Sequence, residues 1–268
     1  MPKKKIIKKD DLDRFYTDPK VAKLCYQKVL SFIDDTDLLV EPSAGNGSFY
    51  LQMREPKIGL DLAPGHPEIV ELNWLEQRVP EDCIIIGNPP FGERNVLTKA
   101  FIKHSIQGAK IIAFILPTVF RKETNQKVFP ESWSLVKDYS LPENSFILDG
   151  QPYHVPTCFQ IWQKNSNHKN LRKSVQQKSS TVDFFFTDIN PTHFVFGAAP
   201  HKLISPKEVT PNNRGYYLQT NITNLEDKFK IINWSEYSLS SVNGGVSWFT
   251  KQEIIDAYNG IKPQVDTL

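Results

Sequence analysis

The sequence of 268 residues predicts an α/β fold built on a Rossmann-like, mostly parallel sheet, followed by a small C-terminal α+β region. Short apolar runs alternate with segments of helical spacing through roughly the first 160 residues, which is the pattern of strands joined by helices. A glycine turn directly follows one of these runs. The run at 110–117 is apolar from Ile111 onwards, as expected of a central parallel strand covered on both faces.

The elements follow in order along the chain. Asp18 and Pro19 have the character of an N-cap and a first helical residue, and they predict a helix over 18–34. The apolar runs and the helically spaced segments then predict strands at 37–41, 57–62, 69–72, 84–86, 110–117, 145–150 and 155–163, and helices at 48–53 and 95–107.

The last third of the chain differs in composition from the rest. Aromatic, strand-like runs are separated there by Pro, Asn and Gly, and a capping box of Thr250 and Glu253 predicts a terminal helix over 250–258. Arg214, His201 and Lys202 lie near turns of this region. These features divide the chain into a basic tail (1–10), a catalytic domain (11–163), a basic linker or loop (164–180) and a C-terminal region (181–268) for target recognition.

Charge and cysteine content restrict the classes of function. The net charge is +2, so nucleic-acid affinity has to come from local patches such as the five lysines within the first nine residues. Cys25, Cys83 and Cys158 are far apart and lack metal-ligand spacing, so we expect no metal site and reduced, structural thiols. No signal peptide or apolar run of ~18 residues is visible, which predicts an intracellular protein without membrane contact. The lysine-rich start leaves cytoplasm and nucleus both open.

The most informative motif is Asn88-Pro89-Pro90-Phe91, directly after the apolar run 83–87. The two prolines fix φ and remove two backbone donors. The Asn88 side-chain oxygen and the Pro89 carbonyl remain as acceptors, and Phe91 supplies a flat ring. Two acceptors beside a stacking ring suit a planar substrate that carries an NH₂ group, such as adenine.

A second motif supplies a nucleotide site. Glu41-Pro42-Ser43-Ala44-Gly45-Asn46-Gly47 follows the first strand, and Gly45 and Gly47 let backbone N–H groups approach a ligand. Asp61 ends the second strand, where it would accept hydrogen bonds from ribose hydroxyls. No third glycine opens the helix, which argues against NAD.

Together these motifs resemble those of amino-group methyltransferases. The segment 41–49 looks like their S-adenosylmethionine loop, Asn88-Pro89-Pro90-Phe91 looks like their catalytic loop, and Asp13–Pro19 looks like the segment that covers the methionine end of the cofactor. The order of the motifs is similar to that of gamma-type DNA N6-adenine methyltransferases of bacteria, phages and large DNA viruses. The resemblance covers roughly residues 11–163.

The resemblance implies a class I methyltransferase sheet, S-adenosylmethionine as cofactor and DNA as the favoured partner over RNA, with no partner protein indicated. The implied catalytic residues are Asn88, Pro89, Pro90 and Phe91. The implied cofactor-binding residues are Phe15, Tyr16, Thr17, Glu41, Pro42, Ser43, Ala44, Gly45, Asn46, Gly47, Asp61, Asn73 and Trp74.

Other functions share the local pattern. An RNA adenosine or a protein glutamine amide presents the same kind of NH₂ group, and similar loops methylate both. The glutamine enzymes usually carry Tyr in the fourth position of the motif, so Phe91 favours a nucleobase. A further alternative is a cofactor-binding subunit without activity that recognises DNA for another chain, and the intact catalytic loop argues against it.

Overall fold

A computed structural model describes residues 15–172, 180–238, 241–242, 246–261 and 266–268. The described residues form two compact units. The first unit takes residues 15–120, 124–172 and 266–268, and the second takes residues 121–123 and the described residues between 180 and 261.

The strands, numbered in chain order, are β1 (Tyr16–Thr17), β2 (Leu39–Glu41), β3 (Lys57–Asp61), β4 (Val70–Glu71), β5 (Ile84–Gly87), β6 (Ile111–Pro117), β7 (Trp133–Ser140), β8 (Phe146–Leu148), β9 (Gln151–Tyr153), β10 (Thr157–Lys164), β11 (Phe184–Phe186), β12 (His193–Phe196), β13 (Leu203–Ile204), β14 (Gly215–Thr220), β15 (Ser241–Val242), β16 (Val246–Ser247) and β17 (Asp266–Thr267). The α-helices are α1 (Pro19–Val29), α2 (Val96–Ser105), α3 (Glu123–Gln126), α4 (Leu225–Ile231) and α5 (Lys251–Tyr258).

The first unit is built on an eight-stranded sheet of order β4-β3-β2-β5-β6-β10-β7-β17. All neighbours pair in parallel except β10, which is antiparallel to both β6 and β7. The order reverses between β2 and β5, which makes this edge of the sheet a topological switch point. The predicted fold class, an α/β fold with a Rossmann-like sheet, is confirmed.

Two apolar cores cover the two faces of this sheet. Because side chains alternate along a strand, Ile111, Ala113 and Ile115 of β6 pack into one core and the residues between them pack into the other. Buried residues of α1, such as Cys25 and Val29, complete the first core. Residues of α2, including Phe101 and Ile102, complete the second core.

Some predicted boundaries are wrong. The helix predicted over 48–53 is a single 3₁₀ turn, Tyr50–Gln52. Asn46 competes with helix formation there, because its Oδ1 accepts the Ser48 N–H at 3.2 Å. The helix predicted over 18–34 ends at Val29 and continues as the 3₁₀ turn Leu30–Phe32. Strand β7 was not predicted, because its polar and apolar residues alternate irregularly.

A small three-stranded sheet of order β1-β8-β9 joins the N-terminal segment to the hairpin that follows β7. Tyr16 pairs with Ile147 in antiparallel register, and the Asp18 N–H donates to the Ser145 carbonyl at 2.9 Å. Residues 15–18 therefore form a strap that is hydrogen-bonded to this hairpin.

The second unit contains a four-stranded antiparallel sheet of order β11-β14-β12-β13 and a core of its own. That core takes Phe184, Val195 and Leu218 from the strands, and Phe229 and Ile255 from α4 and α5. The terminal helix is confirmed as Lys251–Tyr258, with the reciprocal capping box of Thr250 and Glu253.

The strands of the first unit do not end with β10. Strand β17, close to the C-terminus, pairs with β7 in parallel through Asp266 and Tyr139. Residues that follow β10 are also bound to the first unit. The Leu171 N–H donates to the Leu135 carbonyl at 2.8 Å, and Arg172 donates to the carbonyls of Pro130 and Gln126. Apart from residues 121–123, the second unit thus lies, in sequence, within an insertion between two parts of the first.

Among the described residues, no helix has the length and apolar character needed to cross a membrane.

Candidate functional site

The loops that follow β2, β3 and β5 lie side by side at the switch point of the sheet. Parallel strands place their carboxyl ends at one edge, so the loop after Glu41, the residue Asp61 and the loop after Gly87 converge there. Ser43 Oγ donates to the Asn88 carbonyl oxygen at 3.0 Å and ties the first loop to the third.

A cavity of about 330 Å³ opens between these loops. The predicted residues that line it are Phe15, Tyr16, Pro42, Ser43, Gly45, Asp61, Asn73, Trp74, Asn88, Pro89, Pro90 and Phe91. The predicted residues Thr17, Glu41, Ala44, Asn46 and Gly47 do not line it. Six further lining residues were not predicted from the sequence: Leu62, Ala63, Leu72, Leu75, Leu97 and Phe101.

The missed residues follow a recognisable pattern. Leu62 and Ala63 come directly after the strand-ending Asp61, and Leu72 and Leu75 flank Asn73 and Trp74. Leu97 and Phe101 are four residues apart on α2 and therefore share one face of that helix. Their spacing was the available signal, but an apolar residue at helical spacing usually packs into a core.

Asn88 is fixed by its amide nitrogen and its carbonyl, while its side-chain oxygen has no partner. Nδ2 donates to the Phe15 carbonyl at 3.2 Å. Oδ1 is buried and makes no hydrogen bond in the described structure. The rest of the loop is bound to α2, because Thr98 Oγ1 donates to the Pro90 carbonyl at 3.1 Å.

The glycine turn is shaped by close approaches. Gly45 has φ +51°, and a Cβ at this position would lie 3.1 Å from Tyr16 Cε1. The Gly45 N–H donates to Asp61 Oδ2 at 2.7 Å, and the Ala63 N–H donates to Asp61 Oδ1 at 2.8 Å. Asp61 therefore organises both loops around it, and each of its oxygens retains acceptor capacity.

Glu41 is buried beneath the glycine turn. The Glu41 carboxyl accepts a backbone hydrogen bond from Tyr50, but its Oε2 atom has no hydrogen-bond partner. Burial raises the pKa of this carboxyl well above its ordinary value, and the charge of nearby Asp61 adds to the increase.

The far end of the cavity is mostly apolar. Trp74 is buried, its indole N–H has no partner, and His104 packs edge-on against its ring at 5.2 Å between centroids. Asn73 caps the 3₁₀ turn Trp74–Glu76, where its Oδ1 accepts the Leu75 N–H at 3.1 Å and its Nδ2 donates to Glu76 at 2.7 Å. The amide oxygen of Asn73 keeps one free lone pair.

The strap of residues 15–18 connects the cavity to the hairpin behind it. Thr17 is buried and its carbonyl oxygen lies 2.7 Å from Ser48 Oγ, next to the glycine turn. Phe15 stacks on Tyr153 of β9, with ring centroids 5.4 Å apart and planes 7° apart. The strap thus contacts the glycine turn, the Asn88–Phe91 loop and the β8–β9 hairpin.

Other candidate residues do not line this cavity. Arg214, His201 and Lys202 are exposed in the second unit, and Arg214 donates to the Pro211 carbonyl at 2.8 Å. The N-terminal lysines and residues 173–179 of the predicted linker fall outside the described residues. Within the part of the chain that the structure describes, no three His, Cys, Asp or Glu residues come together as metal ligands would.

Comparison with known proteins gives similarity to solved structures alone. No protein-family model and no curated protein matches the sequence. A modification subunit of a proposed type I restriction enzyme from Vibrio vulnificus is 13% identical, with a TM-score of 0.42 over 65% of this chain and 46% of that one. A type I restriction-modification methyltransferase subunit from Streptococcus thermophilus is 19% identical, with a TM-score of 0.43 over 57% and 45%.

A protein from Pyrococcus horikoshii proposed to be an RNA methyltransferase is 14% identical, with a TM-score of 0.47 over 57% of this chain and 87% of that one. The chain spans about half the length of the two restriction-modification subunits. The strand order described above defines the fold without these likenesses.

Proposed function

We propose that this chain is an S-adenosylmethionine-dependent methyltransferase that transfers a methyl group to N6 of adenine in DNA. The observation that carries the proposal is the unpaired Oδ1 of Asn88, buried in a loop that lines the cavity with Phe91. An unsatisfied buried acceptor costs about 1–3 kcal/mol. A ligand N–H group that donates to Oδ1 would remove this cost. The exocyclic NH₂ of an adenine stacked on Phe91 would supply such a group.

The chemistry of the acceptor explains the residue types. The lone pair of adenine N6 is delocalised into the ring, so the nitrogen is a poor nucleophile. Hydrogen bonds accepted by Asn88 and the Pro89 carbonyl would favour a more tetrahedral nitrogen and stabilise its developing positive charge. No strong base is needed, because the N6 proton becomes acidic once the methyl group is transferred.

The cavity residues fit the cofactor. A ligand pocket is typically about 300–1,000 Å³, and the volume here falls in that range. Asp61 would accept from the ribose hydroxyls, and Trp74 with its apolar neighbours would enclose the adenine ring. Glu41 does not line the cavity but precedes the lining residues Pro42 and Ser43, and its unpaired Oε2, when ionised, would attract the ammonium group of the methionine moiety. When bound, S-adenosylmethionine supplies an electrophilic methyl group.

The choice of a nucleobase rests on Phe91. Stacking of a base on an aromatic side chain contributes about 1–3 kcal/mol, and the ring of Phe91 borders the cavity beside Asn88. A base in a duplex has to leave the stack to reach this loop, so base flipping is expected on double-stranded DNA. We assign target recognition to the second unit, with Arg214, His201 and Lys202 as candidate contacts.

The decisive experiment is a transfer assay with tritiated S-adenosylmethionine on DNA, RNA and protein in parallel. We expect label in DNA, and N6-methyladenine as the product on nucleoside digestion. Label in RNA alone would mean that the substrate is RNA and not DNA, with the same acceptor atom, adenine N6. Label in protein glutamine would contradict the nucleobase assignment, and cofactor binding without any transfer would contradict the enzymatic role.

A further inference from the structure

Residues 92–95 form an arch at the mouth of the cavity. Phe91, which precedes the arch, and Leu97, which follows it, both line the cavity. Thr98 Oγ1 holds the incoming loop through the Pro90 carbonyl at 3.1 Å. The arch is therefore fixed at both ends and lies directly beside the space in which an acceptor base would sit.

The backbone of the arch is unusual. Gly92, Arg94 and Asn95 have φ values of +65°, +52° and +61°. Residues with a Cβ seldom adopt this left-handed region, and two of these three are not glycine. The position of Gly92 requires glycine for a second reason, since a Cβ there would lie 2.9 Å from Leu97 Cγ. The chain thus adopts a disfavoured conformation in the segment that carries Arg94, between the cavity-lining residues Phe91 and Leu97.

The guanidinium of Arg94 is exposed and weakly engaged. Its side chain is 89% exposed, and its ion pair with Glu93 has a distance of 3.8 Å to a carboxylate that is itself 91% exposed. An exposed pair of this kind contributes little to stability. A guanidinium that is free to exchange partners is well suited to bind phosphate oxygens through its planar fork of N–H donors.

We propose that Arg94 binds the backbone phosphate next to the target nucleotide, and so selects a polynucleotide over a protein glutamine. This inference rests on the proposed function, in which a base stacks on Phe91 three residues earlier. A base inside the cavity leaves its sugar and phosphate at the mouth, because a phosphate is not readily desolvated. Arg94 lies in the short segment between the lining residues Phe91 and Leu97, within reach of such a phosphate, whereas a protein substrate would present no fixed anion there.

The test compares Arg94→Gln with Arg78→Gln. Arg78 is a matched control, since its side chain is 87% exposed and forms an ion pair of 3.0 Å with Glu81, but it follows the 3₁₀ turn Trp74–Glu76 and not the Asn88–Phe91 loop. The measurements are kcat and KM for an adenine-containing oligonucleotide from low to moderate NaCl, and KM for S-adenosylmethionine.

We expect Arg94→Gln to raise the oligonucleotide KM about three- to tenfold at low salt, with kcat and the cofactor KM unchanged. The slope of log KM against log salt should fall by about 0.7–0.9, the contribution of one lost phosphate contact. Arg94→Lys should retain most of the slope because it keeps the charge. Glu93→Gln should lower KM, because it removes a negative charge that repels the phosphate. Arg78→Gln should match the wild type.

An unchanged salt slope in Arg94→Gln, or an equal loss in Arg78→Gln, would overturn the role of Arg94 while an active wild type still supports the proposed function. A wild type that methylates a protein glutamine and no oligonucleotide would overturn both. The two failures are distinguished by the wild-type assay, which needs no variant.

Discussion

Ser43 Oγ donates a hydrogen bond of 3.0 Å to the carbonyl oxygen of Asn88, 45 residues further along the chain. The bond crosses the switch point between β2 and β5, where the strand order of the sheet reverses. It joins the loop proposed to hold the cofactor to the loop proposed to hold the acceptor. The distance between the two reacting groups would therefore depend on this contact.

Ser43→Ala is expected to lower kcat several-fold and to change cofactor affinity less. A neutral hydrogen bond contributes about 0.5–1.5 kcal/mol, and its loss here would loosen the Asn88–Phe91 loop. Ser105→Ala is the matched control, because the buried Ser105 hydroxyl has no hydrogen-bond partner in the described structure. A Ser43→Ala variant with wild-type kcat, measured with both substrates saturating, would show that the loops are positioned without this bond.

Asn88→Ala should reduce methyl transfer by about 10²–10³-fold, the usual effect of removing one preorganised hydrogen-bond partner at a reacting group. Binding of S-adenosylmethionine, measured by calorimetry, should stay nearly intact, because Asn88 is proposed to face the acceptor. Asn88→Asp is the informative comparison. It keeps side-chain acceptors but loses the bond from Nδ2 to the Phe15 carbonyl, and it should retain more activity than Asn88→Ala. Transfer at the wild-type rate in the alanine variant would contradict the assigned role.

The local parts of the fold were predictable from the sequence, and the long-range pairings were not. Apolar runs gave β2, β3, β5 and β6, because central parallel strands are apolar on both faces. Strand β7 was missed, since its residues alternate in burial irregularly. The antiparallel β10 and the return of β17 to the main sheet depend on pairings across many residues, for which a local pattern carries no signal.

The site shows the same division. Motif residues such as Asn88 and Asp61 were found because their residue types carry the chemistry. The free acceptor of Asn88 was expected, but the orientation of its amide could not be foreseen, since Nδ2 donates to the carbonyl of Phe15, 73 residues earlier. Arg94 was not singled out, because nothing in the sequence indicates that its backbone is left-handed.

Asp61→Ala is expected to raise the dissociation constant of S-adenosylmethionine roughly tenfold or more, since a hydrogen bond to a charged group contributes about 1.5–3 kcal/mol. The carboxylate also accepts from Gly45 and Ala63, so part of the loss will come from the two loops. Asp61→Asn keeps one acceptor and should lie between the alanine variant and the wild type. Glu71→Gln, an exposed acid paired across from Asp61 on β4, serves as the control. Unchanged affinity in Asp61→Ala, measured by calorimetry, would mean that another group holds the ribose.

Glu41 predicts a pH-dependent stability difference. Burial raises the pKa of its carboxyl well above the ordinary 4.5, so the folded state favours the protonated form. Both states are protonated at pH values below 4.5, and the folded state loses stability as the pH rises from there towards the raised pKa. Glu41→Gln does not titrate, so its melting temperature should exceed that of the wild type by an amount that grows with pH over this window.

The same substitution has a second expected effect. Glu41→Gln should weaken binding of S-adenosylmethionine most at high pH, where the wild-type carboxyl is ionised and attracts an ammonium group more than a neutral amide does. Thermal unfolding from pH 4 to pH 8, with and without cofactor, measures both effects. A melting difference that does not vary with pH would show that Glu41 titrates normally, and a gain of stability without loss of affinity would remove it from the proposed cofactor site.

The role of the second unit in DNA binding can be tested by deleting that unit, provided that β17 stays paired with β7. Truncation after β10 would also remove a strand of the main sheet. Leu171 is hydrogen-bonded to Leu135, and Asp266 is paired with Tyr139. These two points on β7 are four residues apart, or about 13 Å. A six-residue Gly/Ser linker can extend to about 20 Å, so it can join Arg172 directly to Asp266 and keep the sheet.

We expect this shortened protein to bind S-adenosylmethionine like the full chain, because the cavity residues all belong to the first unit. It should lose most of its affinity for DNA in a gel shift, whereas binding by the full chain should weaken steeply with salt as phosphate contacts release counterions. A parallel variant of the full chain, with His201, Lys202 and Arg214 all changed to Gln, tests the same assignment without a deletion, and its salt dependence should become shallower. Salt-sensitive DNA binding retained by the soluble, shortened protein would refute target recognition by the second unit, and an insoluble product would show that this unit is needed to complete the fold.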